Sequence, residues 1–195
     1  MRREQSLSTN QLFQTTRPLT GLFAGALTIV GFNLYGSIEI LTFITAICFA
    51  GITGNIMLAN DLYDRKNDVR KGKTLAAENP RKLFIFWMVF NASLVAGLAV
   101  ISVQDFNLAL FCVVVWLVVL LYSLTRRMVV INNLIVAVCS AAPILCGAVH
   151  MGVVDERSLR IAISIFSIIF ARELFKDIED VGSDVGYKST IPTYI

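Results

Sequence analysis

Six apolar runs, at residues 19–35, 38–59, 83–103, 108–124, 134–153 and 159–175, constrain this chain more than any other feature in it. At about 1.5 Å per helical residue each run approaches or reaches the ~30 Å of a bilayer's hydrocarbon core. Lipid offers the backbone no hydrogen-bond partner, so such segments satisfy their own N–H and C=O groups as helices. The expected fold class is all-α: a polytopic transmembrane bundle of about six helices. Six crossings and their loops use up a chain of 195 residues, so residues 1–195 read as a single transmembrane domain with no sizeable water-soluble part. The polar stretch 1–17 ends in Arg17-Pro18, and the run behind it lacks a small-residue cleavage site, which makes it a retained anchor and not a secretory signal.

The charges matter for their placement. The balance is only +3, from 17 Lys+Arg against 14 Asp+Glu, which gives a nucleic-acid partner no support. Along a six-helix path, 15 of the 17 basic residues fall on one side of the membrane, and only Arg157 and Arg160 fall on the other. Basic loops are retained in the cytoplasm. Both termini, and the loops that follow the second and fourth helices, are therefore expected to be cytoplasmic.

Several residue types carry little. Cys48, Cys112, Cys139 and Cys146 lie in apolar runs with no C-x-x-C pairing, as small buried hydrophobes do. His150 stands alone and makes no metal site. Pro143 marks a helix kink, and Gly21, Gly25, Gly51, Gly54 and Gly97 are positions where helices can approach closely.

The acidic residues are more informative. The end of the second run reads Asn60-Asp61-Leu62-Tyr63-Asp64-Arg65-Lys66-Asn67-Asp68. At 100° per residue, the carboxylates at 61, 64 and 68 fall within an arc of about 60°. The end of the sixth run repeats the spacing at Asp177, Asp180 and Asp184, each offset by 116 residues from its counterpart. Three like charges on one helical face repel unless a cation neutralises them. An all-oxygen donor set points to a hard ion, and Mg²⁺ in particular is held by a few carboxylates together with water and substrate phosphates. Interleaved cations, among them Arg65, Lys66, Arg126, Arg127, Arg172, Lys176 and Lys188, suit the phosphate oxygens that the metal leaves free.

These segments resemble the UbiA superfamily of membrane-embedded prenyltransferases. The likeness rests on Asn60-Asp61-x-x-Asp64-x-x-x-Asp68, on Tyr122-Ser123-x-x-Arg126-Arg127 and on Arg172-Glu173-x-x-Lys176-Asp177-Ile178-Glu179-Asp180-x-x-x-Asp184. It implies an all-helical intramembrane enzyme that binds a prenyl diphosphate through Mg²⁺ at two aspartate-rich motifs and passes the prenyl group to an acceptor. By matching position, Asp61, Asp64, Asp68, Asp177, Asp180 and Asp184 would be the catalytic, metal-binding carboxylates. Asn60, Arg126, Arg172, Lys176 and Lys188 would contact the substrate. Phe43, Phe49, Phe86, Phe90, Phe111 and Trp116 are available as walls for a prenyl chain. The second motif is most similar to the branch that adds a geranylgeranyl group to geranylgeranylglycerol phosphate for ether lipids, with quinone-pathway enzymes that prenylate aromatic rings as the alternative.

The chain also departs from the family pattern. Arg70-Lys71-Gly72-Lys73-Thr74 stands where many members have Asn-x-Pro-x-Arg-Pro, and Thr20 follows Arg17-Pro18 where an Asn is common. Members resembled here have about nine helices, so the domain is expected to be incomplete at its C-terminus, with a complementary chain as one way to supply the rest. A silent or split-enzyme fragment and a cation carrier remain as other classes. A carrier is expected to place its carboxylates nearer the bilayer midplane.

Overall fold

The computed structural model describes residues 13–70, 78–125 and 129–184. Among these residues every regular element is helical: α1 (Pro18–Asn33), α2 (Ile40–Arg70), α3 (Pro80–Gln104), α4 (Phe106–Thr125), α5 (Val129–Ala141), α6 (Cys146–His150) and α7 (Glu156–Asp184), with a 3-10 turn over Ala142–Leu145 between α5 and α6. Each of the six apolar runs lies, but for two or three residues at some ends, in one helix or, for the fifth, in a broken one. Pro18 and Pro80 open α1 and α3 at the first helical turn, where the missing N–H would have had no partner. Pro143 lies inside the fifth run and cannot donate to the carbonyl four residues back. There the helix tightens into the 3-10 turn before resuming as α6.

Three stretches are long and apolar enough to cross a membrane by length and composition: Ile40–Tyr63 in α2, Pro80–Gln104, and Ile131–His150 through the Pro143 break. Pro18–Asn33 and Phe106–Tyr122 are shorter apolar helices. The sixth run is the most charged, with Arg160 near its start and Arg172 and Glu173 near its end, and α7 carries Arg157 and Lys176 just outside it.

Two helices run past their apolar runs. α2 has 31 residues and α7 has 29, which at 1.5 Å each is about 46 and 44 Å. Both exceed the ~30 Å hydrocarbon layer. The segment after the second run, expected partly as a loop, therefore stays helical through Asp61, Asp64 and Asp68 up to Arg70.

The chain folds back on itself at each connection. Gly97 of α3 faces Cys48 of α2, Gly51 of α2 faces Leu94, and Leu58 buries against Leu83, so the α2–α3 hairpin is antiparallel. α1 packs on α2, on the 3-10 turn and on α6; α4 packs on α2, α3, α5 and α6; α7 packs on α5 and the 3-10 turn. The main core gathers Phe32, Phe49, Ile52, Leu98, Leu108 and Cys112 from α1 to α4. A smaller core joins Ala141 and Ile144 to Ala162 of α7.

Among the described glycines, the closest approach to another segment's backbone lies where α1 meets the Pro143 break. A Cβ on Gly31 would stand 2.5 Å from the carbonyl oxygen of Ile144, and one on Gly147 would collide with the carbonyl of Gly31. Only hydrogen fits at both positions. Of the glycines singled out in the sequence, Gly21 and Gly25 make milder approaches to the carbonyls of Ala50 and Ala46, each 3.2 Å from a built Cβ.

Candidate active site

The antiparallel order brings the C-terminal ends of α2, α4 and α7 and the N-terminal ends of α3 and α5 to one end of the bundle. Asn60 and Asp61 lie there, half-buried in the last apolar turns of α2. The turn that carries them is anchored by Leu58 and Leu83, both all but inaccessible, with Leu62, Phe86, Trp87 and Phe90 around them. Tyr63 and Arg65 are exposed beside the motif. The side chains of Asp64, Asp68, Asp180 and Asp184 lie outside the described residues, as do Arg126 and Lys188.

At the end of α7 the side chains form a connected group. Glu173 is 6% exposed. It accepts a hydrogen bond of 2.8 Å from Arg172 Nη1, and its other oxygen lies 3.5 Å from Lys176 Nζ. Burying a carboxylate without such partners would be strongly unfavourable. Arg172 and Lys176 were expected to face phosphate oxygens, and here both touch Glu173. Their side chains stay 68% and 50% exposed, so they keep N–H donors directed to the surroundings. One turn further on, Asp177 Oδ2 accepts a 2.7 Å hydrogen bond from Asn133 Nδ2 of α5.

Glu173, Asn132 and Asn133 are thus buried polar residues at this end to which the sequence reading gave no role. The available signal was their setting. The Asn pair sits in a stretch otherwise filled by apolar side chains, where polar groups mark function by default, whereas Glu173 lies among charged neighbours that hid it.

The opposite end is also tied by polar contacts. Tyr35 Oη donates to Asp155 Oδ1 at 2.9 Å, and the same carboxylate caps α7 through the Ser158 N–H at 2.8 Å. His150 Nδ1 is 2.7 Å from Asp105 Oδ2, with the Phe32 ring against the imidazole. His150 therefore has a carboxylate partner where the sequence suggested isolation.

A family model for the UbiA prenyltransferase family matches residues 19–194. The chain belongs to the UbiA prenyltransferase family. It is accordingly a helical integral membrane protein of a prenyl-transferring family, as its motifs and apolar runs led one to expect. No curated protein and no solved structure gives a significant match.

UbiA prenyltransferases generally use a divalent metal, so the donor set here can be tested against one. The six acidic positions offer oxygen alone, with no Cys or His, which suits Mg²⁺. Among the described residues no group of three or more His, Cys, Asp or Glu side chains converges. Of the six carboxylates only Asp61 and Asp177 are described at the side-chain level, so the fit rests on donor chemistry and on the shared end of the bundle. For the prenyl chain, the structure sorts the candidate aromatic walls. Phe49 is 2% exposed and meets the Phe111 ring in a tilted contact, 6.4 Å between centroids, inside the bundle, whereas Phe43 is 51% exposed and faces outward. Phe86 and Phe90 pair at 6.1 Å on α3, beside the first motif.

Proposed function

We propose that this protein is a Mg²⁺-dependent intramembrane prenyltransferase that moves a prenyl group from a prenyl diphosphate to a lipid or aromatic acceptor. The observation that carries the reading is that two acidic segments of identical spacing, 116 residues apart, end helices that finish at the same end of one bundle. Their place at helix ends, away from the middle of the spans, favours a diphosphate at the membrane surface over a cation moving through the midplane.

Asp61, Asp64 and Asp68 on α2, with Asp177, Asp180 and Asp184 on α7, would hold the metal. Bound there, Mg²⁺ would neutralise negative charge on the departing diphosphate. Arg172 and Lys176, already fixed by Glu173, would direct their remaining donors to phosphate oxygens, where charge-assisted bonds are strongest. Asn60 would contact the same group, with Arg126 and Lys188 as further cations. The aromatic surfaces of Phe49 and Phe111, or of Phe86 and Phe90, would face the allylic carbon as positive charge builds on it and would exclude water.

A geranylgeranyl donor with geranylgeranylglycerol phosphate as acceptor, as in ether-lipid synthesis, is the pairing that the second motif most resembles; an aromatic quinone precursor is the alternative. Both aspartate segments and both termini would face the cytoplasm by the distribution of Lys and Arg. The experiment is turnover by the purified full chain in lipid nanodiscs with geranylgeranyl diphosphate, Mg²⁺ and each acceptor in turn. Metal-dependent diphosphate release coupled to prenylation of one acceptor supports the reading. No release from any pairing, by a chain shown to be folded, removes it.

A further inference from the structure

The hydrogen bond between Asn133 and Asp177 links α5 to the first carboxylate of the second acidic segment. Asn133, Ala137 and Ala141 recur every four residues, so they share one face of α5, and all three are buried. Ala141 packs with Ala162 of α7, which fixes that face against α7. Small residues along such a stripe let two helices approach closely. The Asn133 amide, 5% exposed, is thus presented to α7 at a set height, and its Nδ2 meets Asp177 Oδ2 at 2.7 Å.

Three features separate this contact from simple helix adhesion. The donor is a neutral amide, so it orients the carboxylate without cancelling its charge. The cations nearest along α7, Arg172 and Lys176, are engaged by Glu173, as the ion pairs there show. The bond occupies one lone pair of Oδ2, and a carboxylate has about four acceptor sites. Asp177 therefore keeps a charged, oriented carboxylate with acceptor capacity to spare, which is what a partner outside the coordination shell provides for a metal ligand.

We infer that Asn133 is a positioning residue: it holds the Asp177 carboxylate in the orientation in which it binds a divalent cation together with diphosphate. This rests on the reading of the helix ends as a cation–diphosphate site.

The test uses the full chain in lipid nanodiscs, with Mn²⁺ as a spectroscopically visible cation and inorganic diphosphate as the probe. Mn²⁺ half-saturation by electron paramagnetic resonance is read beside the thermal unfolding midpoint for wild type, Asn133→Leu, Asn133→Ser and the exchange Asn133→Asp/Asp177→Asn. Leu removes the donor at similar volume. Ser is too short to reach and serves if the Leu variant does not fold. Loss of an outer-shell partner typically weakens metal affinity ~10–100-fold, so a weakening of about tenfold or more is expected in both single variants. The exchange restores an amide–carboxylate bond between the helices but moves the charge to α5, so stability is expected to return while Mn²⁺ affinity stays low. Wild-type half-saturation in the single variants, or Mn²⁺ affinity recovered by the exchange, would show that the contact only joins helices and would overturn the inference. If wild type itself binds no Mn²⁺ with diphosphate, the reading of the site falls and this inference with it. Binding by wild type that the single variants leave unchanged removes the inference alone.

Discussion

His150 Nδ1 lies 2.7 Å from Asp105 Oδ2, which ties the end of α6 to the turn between α3 and α4. The other oxygen of Asp105 accepts the Leu108 N–H at 3.0 Å and caps α4. One carboxylate thus serves two elements at the end of the bundle away from the acidic segments.

Asp105→Ala is accordingly expected to be more destabilising than His150→Ala, because it removes both the cap and the histidine contact. Loss of a cap costs about 0.5–2 kcal/mol and loss of a hydrogen bond about 0.5–1.5 kcal/mol. Thermal unfolding in detergent ranks the two variants. The reverse order would mean that the cap is dispensable.

Asp155 gives a pH dependence whose sign follows from its contacts. The Ser158 backbone and hydroxyl and the Tyr35 hydroxyl hold its carboxyl below the ordinary range. A group depressed in the folded state stabilises above its unfolded value and loses that contribution as pH falls through the folded one. Wild type should therefore exceed Asp155→Ala in unfolding midpoint at neutral pH. The gap should narrow only as pH drops below about 4. A gap constant from pH 7 to pH 3 would remove the ionised carboxylate from the explanation.

Asn55 is fully buried on α2, and among the described residues neither polar atom of its side chain has a hydrogen-bond partner. Removing a buried polar group that has no partner forfeits no bond and relieves its desolvation penalty. Asn55→Leu is expected to leave the unfolding midpoint unchanged or to raise it. A loss of more than about 1 kcal/mol would point to a polar contact made in the membrane, since that is the scale of one hydrogen bond.

Glu173→Gln removes a buried charge and leaves two exposed cations without their anion. The fold should tolerate this, since the partners left behind, Arg172 and Lys176, remain solvated at 68% and 50% exposure. The local potential becomes more positive, so metal-free binding of inorganic diphosphate should strengthen severalfold, on the order of 1 kcal/mol for a charge-assisted contact near a surface. Calorimetric titration without Mg²⁺ reads the change. Weaker binding would show that Glu173 is needed to hold Arg172 and Lys176 in place.

The helices were legible because each apolar run obeys a rule local to itself, and the Pro143 break follows from one missing donor. Two boundaries shifted because hydropathy stops at charge while the helix does not: α2 continues to Arg70 and α7 to Asp184. The contacts that organise the two ends were not legible. Asn133 meets Asp177 across 44 residues and His150 meets Asp105 across 45, so no local pattern announces either pair. Arg172 and Lys176 show the same limit in another form. Their charge suggested phosphate, and the buried Glu173 within one turn of each determines what they touch.

The acidic ends of α2 and α7 are proposed to bind a prenyl diphosphate through a divalent cation. The most direct measurement is the affinity of the full chain in nanodiscs for geranylgeranyl diphosphate, with and without Mg²⁺, for wild type, Asp61→Asn and Asp177→Asn. Tight binding by wild type is expected only with Mg²⁺, with a loss of about tenfold or more in each variant at an unchanged unfolding midpoint. Equal wild-type affinity in the presence and absence of Mg²⁺, or full affinity in both variants, would contradict it.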